Sequence, residues 1–106
     1  MTTLLKLTVV ATLCCAPSLT VHAANISEGE YLYKQFRCAE CHGTDGKTSP
    51  AKNALPLAGM DPDHIFMKTK RFIESRAHEQ VLQGCGEPPS HVQIKKVSDY
   101  LATLPK

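Results

Sequence analysis

"CAECHG", Cys38 to Gly43, is the stretch on which the reading of this chain turns. Two thiols separated by two residues, with a histidine directly after the second, form the C-x-x-C-H pattern of c-type haem attachment. The spacing has a chemical reason. Thiols so placed at a helix end can add to the two vinyl groups of one haem, and the next residue, His42, then falls beneath the iron as an axial ligand. A bare C-x-x-C is also compatible with a redox disulfide or half of a zinc site. Zinc would require a second ligand pair at suitable spacing, and a thioredoxin-like motif requires a strand before it. Neither context is present.

Upstream, the chain opens with Lys6 and the apolar run "LTVVATLCCA", followed by "VHAA", where Val21 and Ala23 satisfy the small-residue rule for signal peptidase. Residues 1–23 therefore read as an export signal that is removed, and 24–106 as the mature domain. The apolar run is short of the roughly 20 residues that span a bilayer, and Pro17 interrupts its end, so no membrane span is expected after processing. Cys14 and Cys15 lack the small residue that a lipidation site needs just before its cysteine. Export to the periplasm agrees with haem attachment, which takes place outside the bacterial cytoplasm.

The domain left after cleavage, about 80 residues, is near the size at which a protein core alone is barely sufficient. The chain has no tryptophan, few aromatics and seven prolines, six of them in this domain, so the domain needs help, and a covalently held apolar cofactor would supply the missing interior. Cleavage removes Lys6 from the 12 basic side chains and none of the 10 acidic ones. Such a balanced charge argues against nucleic acid as a partner.

Three main helices are predicted. The first starts at Ser27 as N-cap, with Glu30 completing a capping box and Ile26 and Tyr31 forming a hydrophobic staple, and runs to about Arg37. Gly29 offers a place for another helix to approach closely. The second starts at Asp61, with Pro62 in the first turn and Ile65, Phe66, Thr69, Phe72 and Ile73 at helical spacing; Lys68, Lys70 and Arg71 mark its opposite face. The third is capped by Ser90 with Gln93, and buries Ile94, Val97, Leu101 and Leu104. Between Gly43 and Met60 the composition is that of a loop.

At this point the chain resembles a small class I monohaem cytochrome c. The resemblance covers the whole mature chain: an N-terminal helix ending in "CAECHG", a loop, "LPLAGM", a middle helix, and a last helix ending "DYLATLP". "CHGTDG" and "LAGM" are particularly similar to periplasmic cytochromes related to flavocytochrome c subunits. The implied fold is all-α, three main helices and loops wrapped around one covalently attached haem c. It further implies that the terminal helices cross near Gly29 and Tyr100, and that Pro50 or Pro56 lies against the proximal histidine.

The distal side departs from the family pattern, which supplies a methionine from the loop before the last helix. Here that loop reads "RAHEQVLQGCGEPPSHV". Cys85 stands first among its candidates: with Cys38 and Cys41 used by haem it is the one cysteine left in the mature chain, set between two glycines, and as a thiolate it would lower the haem potential. The alternatives are His78, whose "HEQVLQG" resembles the family's methionine arrangement, and Met60, a thioether in "LAGM". Cys85 is also compatible with an ordinary buried thiol or an intermolecular bridge. His64 and His91, in the first turns of helices, read as solvated surface residues.

The function expected is periplasmic electron transfer, without enzymatic activity of its own, since no general base is paired with a nucleophile. Its partner would be a redox protein, another c-type cytochrome or an oxidoreductase subunit, and lysines near a haem edge can steer an acidic one. Two other classes stay open: a haem that binds or senses NO or CO when the distal ligand dissociates, and the cytochrome subunit of a heteromeric sulfur- or nitrogen-metabolising enzyme.

Overall fold

The computed structural model describes residues 19–52, 54–75 and 86–106. Among them are four helices and no strand: α1 (Leu19–Gln35), α2 (Cys38–His42), α3 (Pro62–Glu74) and α4 (His91–Thr103).

Both downstream helices begin as their sequences predict. The Asp61 carboxylate accepts from the His64 amide at 2.9 Å, with Pro62 in the first turn, where its missing N–H costs nothing. At α4 the capping box is complete, the Ser90 hydroxyl accepting from the Gln93 amide at 3.3 Å and the Gln93 side chain accepting from the Ser90 amide at 2.8 Å.

The start of α1 differs from expectation. The helix is continuous from Leu19, so Ser27 lies inside it and caps nothing. Residues before it, Ala23 and Ala24 among them, are strong helix formers and give the Ser27 amide an intrahelical setting. Glu30 accordingly reaches forward to Lys34 at 2.7 Å instead of back to Ser27. The staple is also absent: Ile26 packs on the core, whereas Tyr31 is 63% exposed.

α1 and α4 cross where the resemblance implied. A Cβ on Gly29 would stand 2.2 Å from the Lys96 carbonyl oxygen and 2.8 Å from Tyr100 Cβ, so hydrogen alone permits the approach. Around this crossing Leu32 and Tyr33 meet Val97, Tyr100 and Leu101, and Ile65 of α3 closes the cluster. Lys96 pairs with Glu28 at 2.6 Å beside the contact. Leu104, half-buried, extends the stripe of α4 less deeply than Ile94, Val97 and Leu101.

α3 leans on α4 through Ile65, through the edge of Phe66 against the His91 ring, and through His91 Nε2 to Glu74 at 3.3 Å. Residues 43–52 and 54–60 are loop, as predicted, and they are stitched down. The Gly46 carbonyl accepts from the Leu57 and Ala58 amides at 2.7 and 3.1 Å, and the Gly59 amide donates to Leu101 at 2.9 Å. This anchors the loop to the end of α4. No helix among the described residues is long and apolar enough to cross a membrane.

Candidate cofactor site

The chain does not carry α1 straight into the cysteine motif. After Gln35 it tightens, the Arg37 amide donating to Lys34 at 3.0 Å, and Arg37 then takes the left-handed conformation with φ 61°. That position usually belongs to glycine. Arg37 Nε donates to Glu40 at 2.7 Å across the break. The consequence is a separate one-turn helix, α2, and not the end of α1 that the sequence implied. Glycine returns where α2 stops: Gly43, φ 82°, donates its amide to Ala39 at 2.8 Å.

Three positions apart on one turn, Cys38 and Cys41 face the same way. Both are half-buried, and Cys38 packs against the core cluster. His42 follows. Its Nδ1 lies 3.0 Å from the Leu55 carbonyl oxygen. A carbonyl only accepts, so Nδ1 is the donor here, and in the neutral ring that tautomer leaves the lone pair on Nε2. That carbonyl belongs to the residue before Pro56, one of the two prolines expected near this ring.

Two further hydrogen bonds hold α2. The Ser49 hydroxyl donates to the Cys41 carbonyl and accepts from the Ala51 amide at 3.1 Å. On the buried side, the Tyr33 hydroxyl donates to the Gly43 carbonyl at 2.7 Å. Burial, and then the neighbouring Cys38, pushes the Tyr33 phenol far above its ordinary value, so it remains a donor throughout the accessible pH range. Just beyond, Asp45 ties the turn. It accepts from the Thr48 hydroxyl and from the amides of Thr48 and Lys47, at 2.7 and 2.9 Å for the latter two, and these bonds, the hydroxyl's first, hold its pKa down at about 2.

This donor set fits a haem. Two thiols lie on one face, and the adjacent imidazole has its outer nitrogen fixed by a carbonyl and its inner one open, the arrangement by which a second interaction orients a metal-binding histidine. Leu55, whose carbonyl engages the His42 ring, leaves its side chain 70% exposed, and on α3 the Met67 and Phe72 side chains are exposed as well.

Met60, one of the distal alternatives, is half-buried and packs against the core cluster, its amide donating to Leu57 at 3.2 Å. His78 and Cys85 lie outside the described residues. His64 and His91 are exposed, as expected of surface residues. The groups that sequence reasoning missed are the Leu55 carbonyl, the Ser49 hydroxyl and the Tyr33 hydroxyl. Only Tyr33 left a signal, as a phenol one helical turn after Gly29 on the face that meets α4.

The chain is similar to cytochrome c-553 of Nitratidesulfovibrio vulgaris (strain DSM 19637 / Miyazaki F), with 28% identity over 102 residues that take in 93% of this chain and 98% of the relative. No family model matches the chain, and no solved structure matches it. The likeness is to a small c-type cytochrome, as the "CAECH" stretch led us to expect, and the helical architecture of the described residues is consistent with the all-α class I cytochrome c fold.

Proposed function

We propose that this protein is a periplasmic electron-transfer cytochrome, exported by residues 1–23 and carrying one covalent haem c on residues 24–106. The observation that carries this reading is the pairing of Cys38 and Cys41 on one turn with a His42 whose Nδ1 is engaged by the Leu55 carbonyl at 3.0 Å. The haem supplies a reversible one-electron iron couple. The chain does the rest. Cys38 and Cys41 would hold the haem by addition of each S–H across a vinyl double bond, which releases nothing, so attachment would need no leaving group. His42 would offer Nε2 to the iron, and the carbonyl on its other nitrogen would make the imidazole a stronger donor.

Cys85 is the distal ligand we assign, on the chemistry of a lone thiol between two glycines, with His78 and Met60 as alternatives. With His42 and a distal residue both engaged, a haem held here would have no position left for a substrate, and the reading is therefore of a carrier and not an enzyme. Lys68, Lys70 and Arg71 on α3 offer a basic surface to an acidic redox partner, whose attraction would weaken with salt.

The test is the pyridine haemochrome and the oxidised and reduced spectra of exported wild type and Cys85→Ser, with CO added to each reduced form. One thioether-linked haem, a thiolate charge-transfer band lost in Cys85→Ser, and no CO adduct in the wild type is the expected result. Absence of covalent haem would overturn the function, an unchanged variant spectrum the Cys85 assignment, and CO binding to the wild type would favour a gas-binding protein.

A further inference from the structure

A helix of five residues cannot set its own orientation. It closes too few internal hydrogen bonds to offset nucleation, and α2 is further cut off by the left-handed Arg37 before it and Gly43 after it. Its pose, and that of the His42 ring, must come from tertiary ties. Two of these, from Ser49 and Leu55, belong to the loop that also carries the exposed Lys52 and Leu55 side chains. The third comes from the buried core of the described residues. Tyr33 has no solvent exposure and packs its ring 5.9 Å from that of Tyr100, at the crossing of α1 and α4.

We propose that the Tyr33 hydroxyl is a positioning group for His42: by donating to the Gly43 carbonyl at 2.7 Å it fixes the end of α2 to the α1–α4 interface and so sets the orientation of the histidine ring. Core packing alone would be served by phenylalanine. The hydroxyl adds a directional bond to the residue next to His42. It also offsets the negative end of the Gly43 carbonyl, which otherwise favours the more positive, oxidised state of a neighbouring redox centre. The effect on potential rests on the function proposed above; the positioning itself does not.

The experiment compares exported wild type, Tyr33→Phe and Val97→Ala, the last weakening the same helix crossing without touching Gly43. Three quantities are read: the His42 ring resonances by NMR, amide exchange at Gly43, and reduction potential. Tyr33→Phe should shift the ring resonances, speed Gly43 exchange about tenfold, the worth of one ordinary hydrogen bond, and lower the potential. Val97→Ala should lower the melting temperature and leave those three at their wild-type values. Wild-type resonances and exchange in Tyr33→Phe, or equal changes in Val97→Ala, would overturn the proposal. Should Tyr33→Phe fail to fold, difluorotyrosine at position 33 strengthens the donor and must move the ring resonances and potential in the opposite sense; no movement counts against the role. If the wild type proves to lack haem, the function falls separately, and ring resonances and amide exchange still decide the positioning.

Discussion

At the scale of single residues, the turn after the cysteine motif is held by one carboxylate. Three donors converge on Asp45, and its folded pKa of about 2 lies below the ordinary 3.8. A depressed carboxyl contributes stability that is present above its unfolded pKa and is lost as pH falls through the folded one. Asp45→Asn should therefore flatten the loss of stability between about pH 4 and pH 2. Parallel acid titrations followed by circular dichroism check this, and identical acid slopes would show that the turn does not depend on the charge. Residue type made part of this neighbourhood legible: the cysteines and histidine carry their chemistry in their side chains and spacing. The Leu55 carbonyl does not, because a main-chain acceptor exists at every position and only the folded path of the loop selects one.

At the scale of helices, two occurrences of one pattern had different outcomes. Ser27 with Glu30 and Ser90 with Gln93 both match a capping box. Pro88 and Pro89 precede the second and stop a helix from entering, so Ser90 caps α4; alanines precede the first, and α1 runs through it. A cap is thus written in what comes before it as much as in the box. Ser90→Ala should cost about 1 kcal/mol, whereas Ser27→Ala in the unprocessed chain should cost much less, as denaturant melts of the two variants would report. Gly29 is the converse case, a helix-weakening residue kept because the α4 backbone leaves no room for a methyl group. Gly29→Ala gains intrinsic helix propensity and must still push α4 away, a net loss of about 1–3 kcal/mol. In a domain of this size that lowers the melting temperature by roughly 4–8 °C per kcal/mol. A Gly29→Ala protein as stable as wild type would mean that the helices separate without penalty.

At the scale of the whole molecule, the described core is small and one-sided. It gathers at the α1–α4 crossing with Ile65 alone buried from α3, while Phe66, Leu57 and Met60 are half-covered and Met67 and Phe72 more open. α3 was predicted as an amphipathic helix with Ile65, Phe66, Thr69, Phe72 and Ile73 at helical spacing, and of these only Ile65 is fully buried. Such a face needs a large apolar partner to complete it, and the proposed haem, tethered at Cys38 and Cys41, is a partner of that kind. Stability should then be linked to attachment, because a group bound only by the folded state shifts the equilibrium toward it. Exported Cys38→Ser/Cys41→Ser protein, unable to form either thioether, is expected to lose the cooperative calorimetric transition of wild type or to melt far lower. Helical circular dichroism would persist in part, since the capping of α3 and α4 is local. A double variant that melts cooperatively at the wild-type temperature would show instead that the helices suffice for themselves, and the incomplete burial of α3 would then need a different partner.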